Sequence, residues 1–266
     1  MSHDIEVGIY NSIVDQDGWS ELEAWDPDAA ADLRRADHFL ELVDRSLEKR
    51  RGRLQHALGV QHLTIFTEVK GVILLAKSGL WLPILPNATA IFHVSLEAIY
   101  LARHPGKVKH FIEFSWYDAH RNENPPEVDA PYLDIAEEMF QARRKKVGLL
   151  YPIYNDKKTW HQHDVRSLAT SVGLDYLLPI ANSSLNLAHA NPAGYMSTGK
   201  GCILMLGRRR ENLTPARAVT MASILVCHSI FHFYRELLEI FHISNEMVLQ
   251  AFEDLRRSLC DRDGST

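Results

Sequence analysis

The sequence predicts an all-α fold, a single helical bundle with a long C-terminal helix and little or no sheet. Three observations carry this. Apolar residues recur at helical spacing through nearly the whole chain. Alternating strand patterns are scarce, and Cys202–Leu206, the one short exception, reads equally as a helix extension. No repeat period interrupts the pattern, and no linker is long enough to separate one domain from another, so residues 28–266 read as one domain behind a loosely docked segment, 1–27.

The elements follow in order. Residues 1–27 carry Trp19, Trp25 and several acids without a clear period. From Asp28, a plausible N-cap, the string 30–58 keeps helical period and is rich in helix formers. A second helix runs from about Val60 to Lys77 and stops at Gly79. A third opens at Pro86-Asn87, with Asn87 as cap, and must end at His104 because Pro105 follows. Residues 107–120 form a fourth, and Asn122–Pro126 is a break. Residues 131–148 form a fifth, closed by the basic run 143–146, which suits a helix C-terminus. An aromatic-rich stretch leads to short helices at 164–172 and 175–190. The longest helix starts at Pro215, a first-turn proline behind Thr214, and reaches about His242; a last one covers 244–258. The core should come from 60–103 and 214–242.

Composition excludes several functions. Against 34 acidic residues stand 29 Lys and Arg, a formal charge of −5, so no global field draws the chain to nucleic acid or an anionic membrane. Contact with RNA would rest on local basic patches at 45–53, 143–146 and 208–210. Three scattered cysteines form neither a disulfide framework nor a structural zinc site, and reduced thiols fit a cytoplasm. The N-terminal residues do not resemble a signal peptide. The apolar stretch Val72–Leu85 is broken by Lys77, Gly79 and Pro83, so no membrane span is expected.

Polar residues inside apolar helices mark the candidate sites. Thr89, His93, Glu97, Tyr100 and His104 share one stripe of a helix that is otherwise apolar on most faces. A carboxylate there must be paired or hydrogen-bonded, whether in a structural network or a functional pocket. Asn182, Asn186 and His189 form a second stripe, which is either a solvated face or a piece of a site shared with Glu97. His228, His232, Arg235, Glu236, Glu239 and His242 form a third. Its Glu239-x-x-His242 is like those of di-iron bundles, but no second such motif exists, and a solvated amphipathic face accounts for it. Gly194–Gly201 imitates a phosphate loop but ends in Gly where Ser or Thr should bind magnesium, and it follows a helix. No cofactor is expected.

Ala76-Lys77, His93-Val-Ser-Leu-Glu-Ala98 and Leu187-Ala-His-Ala-Asn-Pro192 together resemble domain-of-unknown-function family 5677, bacterial all-helical proteins, over about residues 55–195. Glu97 and His189 match its pattern, whereas its arginine falls on His93 and its serine on Leu185. The pattern is also distantly similar to HEPN-type helical proteins, many of them metal-independent ribonucleases acting in defence. Those use R-x(4–6)-H; no arginine precedes His189 at 182–184, and Arg103…His110 is broken by Pro105-Gly106. The resemblance implies an RNA-directed protein, a metal-independent endoribonuclease or an inactive relative. Glu97, His189, His93 and Lys77 are then its catalytic candidates, and Asn186, Tyr100, Arg208 and Arg209 its binding candidates. Glu97 would hold the His189 imidazole, with Lys77 and His93 close enough to meet an anion. The expected partner is RNA or a small anionic ligand, without a membrane, with a homo-oligomer open. Two alternatives stand beside it: a non-catalytic ligand- or partner-binding module, and a metal-binding bundle using His228, His232 and Glu239.

Overall fold

A helix that is apolar on most faces needs neighbours on most faces, and the arrangement of this chain follows from that need. A computed structural model describes residues 18–47, 52–121, 141–142, 145–146, 159–161, 163–188, 195–198, 201–206 and 209–263. Its helices are α1 (Gly18–Trp25), α2 (Pro27–Ser46), α3 (Arg53–Lys77), α4 (Ile84–Arg103), α5 (Val108–Arg121), α6 (Val165–Val172), α7 (Leu178–Ala188), α8 (Pro215–Ile240) and α9 (Glu246–Asp263). The strands β1 (Tyr195–Thr198), β2 (Gly201–Leu206) and β3 (Arg209–Leu213) form a small antiparallel meander between α7 and α8.

The fold is all-helical apart from that meander. α4 is the hub: α3 and α8 pack along its length, and α6 and α7 cover a further side. α2 lies on α8 and α9. Ile84, Leu85, Ile91, Phe92, Leu96 and Ile99 of α4 are buried in one core that runs from Leu22 of α1 to Leu259 of α9. The core expected from 60–103 and 214–242 is therefore its centre.

The ends differ from the sequence reading in instructive ways. The cap of α2 is Asp26, not Asp28. Its Oδ1 accepts from the Ala29 backbone N–H at 3.0 Å, and Pro27 takes the first turn. The long string from Asp28 divides, α2 ending at Ser46 and α3 starting at Arg53 rather than at Val60. α4 starts two residues before Pro86, because a first-turn proline gives up only an N–H that has no intrahelical partner. Asn87 is not its cap. The stop at His104 and the cap of α8 by Thr214 stand as read. Gly79 and Gly173 take the left-handed conformation where α3 and α6 end, at φ 74° and 81°. The lead-in segment is described from Gly18, where it is already helical, with Leu22 fully buried. Of the helix read at 131–148, only 141–142 and 145–146 are described, and they are helical.

Cys202–Leu206 lies within a true strand. It pairs with β1 (Tyr195 opposite Leu204) and with β3 (Cys202 opposite Leu213). Strands run through much of the phosphate-loop lookalike, with Gly199 and Lys200 falling between the paired Thr198 and Gly201.

By length and composition alone, α3, α4 and α8 are each apolar enough to cross a membrane, with an 18-residue window of mean hydropathy 1.3 in each. The stretch Val72–Leu85 is thus not the one to judge by, since the apolar runs lie within these helices. In the fold, 67% of that window is buried in α4 and in α8, and 39% in α3.

Polar pins fix the packing. His62 of α3 is fully buried, with Nδ1 2.5 Å from the Tyr234 hydroxyl of α8 and Nε2 3.1 Å from Asp44 Oδ1 of α2. The neutral ring satisfies both when Tyr234 donates to Nδ1 and Nε2–H donates to Asp44. Lys70 of α3 reaches Asp37 at 2.6 Å and Glu41 at 2.7 Å. Burial alone would lower the Lys70 pKa, yet these two carboxylates hold it above its ordinary value, while burial raises Asp37. Replacing Tyr234 by Phe strands the buried Nδ1 of His62. The expected loss is about 1–3 kcal/mol, or roughly 2–10 °C in Tm. A thermal melt followed by circular dichroism checks this, and an unchanged Tm would remove Tyr234 from the pins.

Candidate functional site

The stripe on α4 runs from the core to the surface. Thr89 is buried, His93 and Glu97 are half-buried, Tyr100 is 7% exposed, and His104 is open to solvent one residue beyond the helix end. The segment 159–161 and His163, just ahead of α6, meets this stripe and completes it. Asp164 anchors α6 beside it by accepting from the Ser167 N–H at 2.7 Å; bonds from Ser167 hold its pKa below the ordinary value.

The inner portion is a carboxylate held by ring nitrogens. Trp160 Nε1 donates to Glu97 Oε2 at 3.2 Å, and Trp160 packs edge-on against Phe111 of α5. His161 is buried, and its Nδ1 accepts from the His163 backbone N–H at 3.1 Å. The ring proton therefore sits on Nε2, the nitrogen that faces Glu97 Oε1 at 3.6 Å, a distance beyond a direct hydrogen bond.

The outer portion carries the accessible imidazoles. His104 Nδ1 lies 2.8 Å from the Tyr100 carbonyl oxygen, which can only accept, so the proton is on Nδ1 and Nε2 keeps a lone pair. Its ring stacks on Tyr100 with centroids 4.2 Å apart. His163 stands against Tyr100 as well, its Nε2 3.3 Å from the phenol oxygen and the ring centroids 5.2 Å apart. Tyr100 is thus held between two imidazoles. Such a pair can take a proton from one atom and return one to another without a metal.

The sequence candidates divide accordingly. Glu97 and Tyr100 belong to this cluster. His93 sits one turn from Glu97, with its Nε2 buried and unpartnered among the described residues. Burial lowers its pKa, against the pull of Glu97. Lys77 does not belong. It ends α3, seven residues before α4 begins, while Glu97 lies thirteen residues into α4, about 20 Å farther along at 1.5 Å per residue. Its ammonium lies over the Trp19 ring at 5.1 Å instead. Asn186 is on α7 and Arg209 in β3 opposite Leu206, but their side chains, like the whole of His189 and Arg208, lie outside the described residues. Asn182 is exposed, as a solvated face requires. Trp160, His161 and His163 were not singled out from the sequence; their signal was three ring side chains within four residues, directly before an Asp cap.

The third stripe, on α8, is not a solvated face throughout. His228 is buried and 2.7 Å from the Tyr176 hydroxyl, while His232 is half-buried with its Nδ1 unpartnered among the described residues. Glu236 takes Arg103 at 3.0 Å and Arg235 at 3.4 Å. Glu239 and His242 are exposed. Among the described residues no group of three or more His, Cys, Asp or Glu is arranged to hold a metal ion, so His228, His232 and Glu239 do not form the metal bundle weighed above. Arg103 of the broken R-x6-H pattern is taken up by Glu236 and by the Val172 carbonyl at 3.3 Å.

No family model, curated protein or solved structure matches the chain.

Burial and the neighbouring Arg235, His228 and Arg103 press the His232 pKa down to about 4 from an ordinary 6.5. His93 is also lowered. Between these folded values and 6.5 the unfolded chain binds more protons, so stability is full above 6.5 and falls as pH drops toward 4. His232→Gln should flatten that fall. Thermal melts of wild type and variant across this range measure it, and parallel curves would exclude His232 as a source.

Proposed function

We propose that the protein is an RNA-directed, metal-independent endoribonuclease of HEPN-like kind acting in the cytoplasm, with the imidazoles at the end of α4 as its proton-transfer groups. One observation carries the reading. The bond from His104 to the Tyr100 carbonyl leaves an Nε2 lone pair at the surface, and a second imidazole, His163, stands on the same tyrosine. RNA supplies the chemistry such a pair suits. His104 Nε2 takes the proton of a 2′-hydroxyl, the 2′-oxygen bonds to phosphorus, the bond to the 5′-oxygen breaks, and protonated His163 gives that oxygen its proton. The products are a 2′,3′-cyclic phosphate and a 5′-hydroxyl. The exposed His104 ring, backed by the buried Tyr100 on which it stacks, offers a face on which an unpaired base can lie.

Glu97 and His161 are positioning residues in this scheme, since they hold the segment that carries His163. The lysine and histidine that pack against Trp19 and Phe92 play no role in it. The family resemblance supports an RNA-directed reading through Glu97 and adds His189 as a residue to test. A cytoplasmic setting is supported by the ion pairs of Lys70 with Asp37 and Glu41, made from within the least covered of the three long apolar helices, seven residues before its end.

The test is cleavage of end-labelled single-stranded RNA and tRNA in the presence of a chelator. Wild type should cut and leave cyclic phosphate ends. His104→Ala and His163→Ala should each slow cleavage by roughly 10²–10⁴-fold with little change in Tm, while Glu97→Gln should lower both rate and Tm. His189→Ala, if it abolishes cleavage at unchanged Tm, joins that residue to the same centre. Wild type that cuts no RNA defeats the reading and leaves the non-catalytic binding module.

A further inference from the structure

The α8 stripe is not used by the proton-transfer scheme, yet it carries an unbalanced charge beside it. Arg103, the residue immediately before His104, and Arg235 both reach the same oxygen of Glu236, at 3.0 and 3.4 Å. Among the described residues, two guanidinium charges thus meet one carboxylate. Arg103 is fixed further by the Val172 carbonyl at 3.3 Å, so it is held in place and not free to swing away. Arg235 is half exposed and makes its ion pair at the long end of the range. His232, one turn before Glu236, lies within electrostatic reach of Arg103, Arg235 and Glu236, and its buried Nδ1 has no hydrogen-bond partner among the described residues, whereas His228 is already engaged by Tyr176.

We infer that Arg103, Arg235 and His232 form an anion site for a phosphate group, filled in this protein by a backbone phosphate of RNA next to the one being cut. Guanidinium forks match phosphate oxygens, and one carboxylate cannot neutralise two of them. The position follows from the helix: Arg103 lies one turn from Tyr100 and directly precedes His104, so a phosphate held there sits at the same end of α4 as the His104 imidazole. The naming of RNA as the source rests on the ribonuclease reading; the phosphate site itself does not. The low pKa of His232 agrees, because burial and the unbalanced arginine charges that keep this ring neutral are what a bound anion would offset. The charged and titratable groups facing it are Arg103 on α4, Arg235, Glu236 and His228 on α8 itself, and Tyr176, which reaches His228 from the turn before α7.

The experiment follows the imidazole Cε1–H signals of the full chain by NMR from pH 7.5 down to about 3, which brackets the low His232 midpoint, with His232→Gln assigning the resonance. The probes are inorganic phosphate and a 2′-O-methyl RNA oligonucleotide, which cannot be cut. Each should move the His232 midpoint upward by about one unit or more. Arg235→Met should abolish the movement, and Arg235→Lys should restore some of it. A midpoint unmoved by both probes overturns the site. Movement by inorganic phosphate alone upholds a phosphate site and overturns RNA as its occupant. The ribonuclease reading fails separately: wild type that binds phosphate but cuts no RNA keeps the site, and wild type that cuts RNA with an unmoved His232 loses it.

Discussion

The burial of α4 on several sides is the constraint from which the rest follows. A helix enclosed by α3, α8, α6 and α7 can show polar groups only where a neighbour answers them or where it emerges into water. The 20-residue helix meets that condition by placing Thr89, His93, Glu97, Tyr100 and His104 on one stripe. Thr89 is buried at one end of the stripe and His104 exposed just beyond the other, and the chemistry changes between them. Toward the inner end burial lowers the pKa of an imidazole, in the middle a carboxylate is answered by an indole, and at the outer end an imidazole meets solvent.

The remaining helices are aligned by polar contacts between apolar surfaces. Apolar packing tolerates sliding, since one leucine resembles another, whereas a buried donor accepts only its own partner. His62 joins α2, α3 and α8 at one level through Asp44 and Tyr234. Asp26 caps α2 and also takes the Thr220 hydroxyl of α8 at 2.5 Å, so one side chain sets the start of one helix and the height of another. Ser258 of α9 donates to the buried Asp32 of α2, which Arg35 also reaches at 2.8 Å. These contacts explain how long helices with similar apolar faces take a single arrangement.

What the sequence disclosed has the same physical basis. Long periodic helices were legible because period and caps are local: the end of α4 before Pro105 and the Thr214-Pro215 start of α8 need only adjacent residues. The start of α2 was misplaced by two positions, since Asp26 and Asp28 are both good caps and Pro27 between them decides the matter. β1 and β3 were missed because Tyr195–Thr198 is short and Arg209–Leu213 is mostly polar, so pairing with β2 supplies what the local pattern lacks. The α4 stripe was legible as a helical spacing. Its partners were not, because Trp160 and His161 lie more than sixty residues from Glu97 in sequence and no periodicity links them. Lys77 was named through the resemblance alone, and a match of short motifs says nothing of which end of α4 a residue of α3 meets; here its ammonium lies over Trp19.

The separation of inner and outer groups bears on which residues can do chemistry. His161 is buried, with Nδ1 committed to a backbone N–H and Nε2 turned toward Glu97 at 3.6 Å, so a ligand in solvent does not reach it without loss of that arrangement. His104 has one nitrogen committed and one open, and the commitment is to a backbone carbonyl, an acceptor that no side-chain motion removes. The carbonyl at Tyr100 is among the last of α4 and has no helical donor of its own beyond the His104 N–H, so the end of the helix provides the acceptor that fixes the ring. Pro105, which stops the helix at this point, therefore does more than mark a boundary. It leaves His104 at the rim, in a backbone conformation outside the helix, where its ring can fold back on the carbonyl four residues earlier and still face solvent.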